Sequence, residues 1–177
     1  MGFAGHSCGV SVGLSWDEWL NGLDRQHREQ ATRLRETFAR LGADDPESWA
    51  RSEVSENFAQ LASFLVLRSL WRDAINVWSP TSIGQSAVAS RLLEEGADMD
   101  DLVTFARAAS YQAVFGVLYR LTAEHSDPEL ADAEDGLPGW RLMELRNGGV
   151  TGRGVDMLHE SILSMDPSGN EGQELFE

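Results

Sequence analysis

The chain has 177 residues, 42% of them hydrophobic, with 29 acidic against 14 basic side chains and a formal net charge of −15. It is long enough for one domain with a real core, and its charge disfavours nucleic acid or an anionic membrane surface as a partner, since no basic patch interrupts it. Every basic residue is arginine and Cys8 is the lone cysteine, which excludes a P-loop lysine, a Schiff base, an internal disulfide and a multi-cysteine zinc site.

The N-terminal residues 1–14 read as a flexible leader: they are apolar but lack the basic flank and apolar run of a signal peptide. No stretch approaches the ~20 uninterrupted apolar residues of a membrane span, so a cytoplasmic protein is expected. Ser15 and Glu18 form an S-x-x-E capping box ahead of a helical run from Trp16 to Leu41, closed by Gly42. Its apolar stripe is Trp16, Leu20, Leu23, Ala31, Leu34 and Phe38, with His27 in the middle of it.

Asp45-Pro46 starts the next helix, which continues, with a re-cap at Ser52, to Trp78. Apolar residues between Phe58 and Ile75 fall on all sides, the pattern of a buried central helix; Leu61, Leu65 and Leu70 are expected to be nearly inaccessible. Ser79-Pro80 breaks it. A shorter helix spans Ile83 to Glu95, and Asp98 caps another from Met99 to Ala123. That one carries Ala106, Ala109, Ala113 and Gly116 along one side, a groove of small residues that admits a close helix. Residues 124–139 read as an acidic loop. Trp140–Leu145 is the one plausible strand, and Asn147-Gly148-Gly149 can turn it into a hairpin. A last helix begins near Thr151 or Gly152 and stops before Asp166-Pro167. Residues 166–177 read as a disordered acidic tail, dispensable for folding. The sum is a mainly α protein: a single compact bundle of about five helices over residues 15–165, with at most a small β-hairpin near 140–150.

Three constellations carry chemistry. Gly148–Gly154 with Thr151 and Arg153 could bind an anion at a helix N-terminus, but it lacks the Walker lysine and a preceding parallel strand, and a tight turn with Thr151 as N-cap is the better reading. The second is a repeated D-x-x-H, Asp24/His27 and Asp156/His159; an acid and a histidine three residues apart share a helix face. Two such pairs can contribute to a metal site in a helical bundle. The third is Arg68 and Arg72, one turn apart in apolar surroundings; a buried guanidinium needs a partner, and Asp24, Asp156 or Asp73 could supply it. Together these suggest a buried polar network, or a ligand pocket, built from His27, His159, Arg68 and Arg72. His6 and His125 lie in the leader and the acidic loop. No pattern calls for a cofactor, and no G-x-S-x-G elbow supports a nucleophilic serine.

Two functions fit. The first is a protein–protein interaction module, of the kind immunity proteins and adaptors represent, with a basic protein as partner. The acidity rises along the chain, with 13 acids against 3 arginines after Ala123, and six tryptophans are present. The second is a helical enzyme or ligand-binding protein whose polar pocket holds the four residues just named, with or without a metal.

Overall fold

The computed structural model describes residues 14–122 and 140–176. The leader through residue 13 and the acidic loop with its flanks, 123–139, lie outside the described residues, and with them Cys8, His6 and His125. The fold is mainly α with one small antiparallel hairpin, as composition and periodicity indicate. The chain divides into two compact units, residues 1–56 and 57–177, where the sequence reads as one bundle.

In the first unit the long helix expected over 16–41 is two helices, α1 (Trp16–Asn21) and α2 (Arg25–Leu41). The capping box at Ser15 and Glu18 is formed. Gly22 then ends α1, and the Asp24 carboxylate restarts the chain by accepting the His27 backbone N–H at 2.9 Å. Capping chemistry overrides the continuous apolar stripe. Helix α3 (Pro46–Ser55) begins at the Asp45 cap. Ala31, Leu34, Phe38 and Ala50 are buried, and the Phe38 and Trp49 rings stack at 5.8 Å.

The second expected long helix is also divided. Asn57, with a left-handed φ of 57°, stands at the break between α3 and α4 (Gln60–Leu70), which runs on through a π turn over Trp71–Ile75. Within that turn the Asn76 N–H reaches the Trp71 carbonyl at 2.8 Å, a bond spanning five residues instead of four. Helix α4 is not buried on all sides. Phe64, Leu67, Trp71 and Ile75 form its core face at 2% exposure or less, whereas Leu65 is 45% exposed and Leu61 and Leu70 are only half-buried. The helical repeat at 64, 67, 71 and 75 is the real stripe, and Leu65 and Val66 lie off it.

Ser79 and Ser86 each cap a short helix, α5 (Pro80–Gly84) and α6 (Ala87–Glu94). The long α7 (Met99–Thr122) follows. Strands β1 (Met143–Arg146) and β2 (Gly149–Gly154) pair antiparallel with a register shift between Met143 and Leu145. Their link is a two-residue turn in which Asn147 and Gly148 both take left-handed φ, 51° and 79°, the geometry that Asn-Gly favours. Residues 149–154 are therefore a strand and not a helix start. Helix proper resumes only at α8 (Leu158–Ser161), followed by a 3-10 turn over Leu163–Met165 and the short α9 (Gln173–Phe176).

The C-terminal segment departs most from the disordered tail expected of it. The Asp166 carboxylate is buried and accepts the Ser168 N–H at 3.0 Å, the Ser168 hydroxyl at 2.9 Å and the Gly172 N–H at 2.7 Å. This knot turns the chain back so that Leu175 joins Leu67, Trp71, Ile75, Tyr111, Leu118, Leu158 and Ile162 in the core of the second unit. One buried leucine and a satisfied aspartate outweigh a composition that reads as solvated.

Candidate functional site

The two D-x-x-H pairs belong to different units and have different environments. Asp24 and His27 flank the first turn of α2: the Asp24 carboxylate accepts the His27 backbone N–H and lies 2.6 Å from His27 Nδ1. Both side chains are more than half exposed. The backbone bond from His27, then the imidazole contact, hold the Asp24 carboxyl below its ordinary value. This is a helix cap, with His27 at the third helical position facing water and not in an apolar stripe.

His159 is buried. Its ring meets Phe115 and Tyr119 edge-on, at centroid separations of 5.8 and 5.0 Å, and its Nδ1 is 3.4 Å from the Thr122 hydroxyl. Thr122 in turn donates to the Leu118 carbonyl at 2.8 Å. Asp156 bonds elsewhere, to Arg141, whose Nη2 reaches it at 2.5 Å. The helix that would have set Asp156 and His159 on one face starts only after Met157, itself in the left-handed region with φ 56°. The Arg141–Asp156 pair closes over Gly154, where a Cβ would collide with both side chains.

Arg68 and Arg72 are exposed. Arg72 pairs with the adjacent Asp73 at 2.6 Å; the hydrogen bonds and charge of that carboxylate raise the guanidinium above its ordinary value and lower Asp73 below its own. Neither arginine joins His159, so the expected network of His27, His159, Arg68 and Arg72 is not assembled within either unit. Among the described residues no group of three or more His, Cys, Asp or Glu side chains is placed to hold a metal, the Asp24/His27 and Asp156/His159 pairs included.

Thr151 and Arg153 belong to β2 and face a carboxylate of their own chain. Arg153 is bidentate to Glu144, at 2.9 and 2.6 Å, and donates to the Phe58 carbonyl at 3.1 Å. Arg146 adds a third contact at 3.0 Å. Burial pushes the Glu144 carboxyl up, but the hydrogen bonds from Arg153, Thr151 and Arg146 outweigh it and hold the group ionised, below its ordinary value. An anion at Arg153 would have to displace Glu144, which is only 4% exposed. Sequence reasoning missed Glu144; the signal available was its place in a short strand paired with one carrying an arginine.

What the surface offers instead is apolar and acidic. Val88 and Leu92, one turn apart on α6, are 55% and 39% exposed, and Phe105 and Val117 on α7 are 73% and 57% exposed. Glu94, Glu95, Asp98 and Asp100, between and at the ends of these helices, are all exposed. No helix among the described residues is long and apolar enough to cross a membrane. No family model, curated protein or solved structure matches the chain.

Proposed function

We propose that the protein is a protein–protein interaction module, immunity- or adaptor-like, that holds a basic partner along α6 and the turn into α7. The observation that carries this reading is the pairing of exposed Val88 and Leu92 with the run Glu94, Glu95, Asp98 and Asp100. Residues four apart share a helix face, so Val88 and Leu92 lie together on α6, and four exposed carboxylates follow at its C-terminal end and in the turn into α7. That is the complement of a basic amphipathic segment: apolar contact supplies affinity, and the carboxylates supply steering and register. The candidate polar groups of the alternative, an enzyme or ligand pocket, are each engaged locally or exposed, which supports the binding role over a catalytic one.

The test is chemical cross-linking in a lysate followed by mass spectrometry, with wild-type protein and a Glu94→Arg/Glu95→Arg/Asp100→Arg variant. A basic protein should cross-link to α6 in the wild type, lose contact in the variant and weaken as salt is raised. Cross-links unaffected by the charge reversal would overturn the reading.

A further inference from the structure

The sequence contains two Asn-Gly pairs, Asn21-Gly22 and Asn147-Gly148. All four residues are exposed, but the structure holds the two pairs differently. An asparagine followed by glycine is open to ring closure, in which the glycine amide nitrogen attacks the asparagine Cγ; with no Cβ on the glycine, nothing screens the approach. At the first pair this nitrogen is engaged. Gly22 closes α1, its N–H donates to the Trp19 carbonyl at 3.1 Å, and the following N–H, from Leu23, donates to the Leu20 carbonyl at 3.1 Å. At the second pair it is not. Gly148 lies in the hairpin turn between the paired Arg146 and Gly149, and among the described residues neither its N–H nor the Asn147 carboxamide has a hydrogen-bond partner.

We propose that Asn147 is a site of spontaneous deamidation whose isoaspartyl product undoes the hairpin, a slow chemical timer in the second unit. The Gly148 nitrogen gives its proton to solvent base and bonds to Asn147 Cγ. The bond from Cγ to the carboxamide nitrogen breaks, and that nitrogen leaves as ammonia, taking a proton from solvent. Water then opens the five-membered succinimide at one of its two carbonyls. Opening at the main-chain carbon leaves isoaspartate, with the backbone running through Cβ and Cγ; opening at Cγ leaves aspartate. Asp-Gly fits the same turn as Asn-Gly, so aspartate is tolerated. Isoaspartate adds a methylene to a two-residue turn that depends on left-handed φ at both positions, 51° and 79°. Arg146 and Gly149 then no longer face each other, and Arg146 and Arg153 lose the strand geometry that brings them to the buried Glu144 carboxylate at 3.0 and 2.6 Å. A buried carboxylate deprived of its partners destabilises the fold. This inference is independent of the basic-partner reading, which uses α6.

Attack requires Asn147 to leave its left-handed conformation, so the turn must first open. Opening an exposed hairpin is a low-energy local event, and folding slows the reaction there without stopping it. Gly22 must also shed its helical hydrogen bond, worth roughly a factor of ten in rate. The test is to incubate the full chain at body temperature in mildly alkaline buffer and follow the peptides spanning both pairs by mass spectrometry, with electron-based fragmentation separating isoaspartate from aspartate. The folded chain should convert Asn147 roughly tenfold faster than Asn21, the scale of that one bond, and in guanidinium chloride the two should convert at similar rates. Aged protein should melt several degrees below fresh protein. Fresh Asn147→Asp, with the product's charge on an intact backbone, should melt with the wild type, and Asn147→Gly, a turn-forming pair without a carboxamide, should not age. Equal rates at the two sites in the folded chain overturn the proposal, as does an Asn147 that stays intact while the unfolded chain reacts. Isoaspartate that accumulates with no loss of melting temperature overturns it as well.

Discussion

Asp24-x-x-His27 and Asp156-x-x-His159 share spacing and residue types, yet one pair is a solvated helix cap and the other is separated. In the first, the aspartate lies outside the helix it starts, and its carboxylate closes the first turn by taking the His27 N–H. In the second, a left-handed Met157 intervenes; Asp156 turns outward to Arg141, while His159 rotates in against Phe115 and Tyr119. A shared helix face requires both residues to be inside one helix. Spacing describes a site only after the helix boundary is known.

The contrast can be broken at several points. The largest effect should come from the buried ion pair beside the second region. Glu144→Ala removes the carboxylate gripping Arg153 and should cost about 3–5 kcal/mol, measured by denaturant unfolding. Because the Glu144 carboxyl is held below its ordinary value, its contribution is present above the ordinary glutamate range and is lost as pH falls through the depressed value. Glu144→Gln should therefore flatten the acid side of the stability profile. An unchanged profile would show that the pair does not form.

Leu175→Ala should come next, at roughly 2–5 kcal/mol for a core cavity, and truncation after Met165 should be at least as damaging. A truncated chain with unaltered melting temperature would return residues 166–177 to the status of a solvated tail. His159→Ala should follow at roughly 0.5–3 kcal/mol, since it empties a site packed by two aromatic rings, while His27→Ala should leave thermal stability close to that of the wild type. Equal effects of the two histidine substitutions would dissolve the distinction between the regions. The smallest change is expected from Asp24→Ala, as a modest loss of helicity near the start of α2. That loss should disappear in acid, because a depressed carboxyl stabilises above its unfolded value and stops doing so once protonated.

The parts of the fold that were legible are those written in local chemistry. Ser15, Asp45 and Asp98 announce helix starts, and Asn147-Gly148 announces the hairpin turn, whereas Ser79 read only as a break and the single helix expected over Ile83–Glu95 is two, capped by Ser79 and Ser86. What periodicity could not reveal were the interruptions at Gly22–Asp24 and at Asn57, where a cap or a left-handed residue breaks an apolar run that continues on paper. The acidic tail misled for the opposite reason: Asp166 is spent on its own backbone and Leu175 is buried, and composition averages over both. The candidate site was the least legible, because Arg68, Arg72 and Arg153 find carboxylates or solvent through tertiary placement that no spacing encodes.

The π turn at Trp71–Ile75 has a consequence for how the chain tolerates editing. It holds one residue more than an α-helical turn spanning the same bond pattern, so deleting Ala74 would leave a continuous α-helix with good local geometry. Everything downstream would then be rotated by about 100° and drawn back by one rise. Trp78 would lose its bond to the Ser110 hydroxyl, and Asn76 would lose the guanidinium of Arg107. An apparently smoother helix would thus be a less viable one, and length variation between related chains should spare this turn.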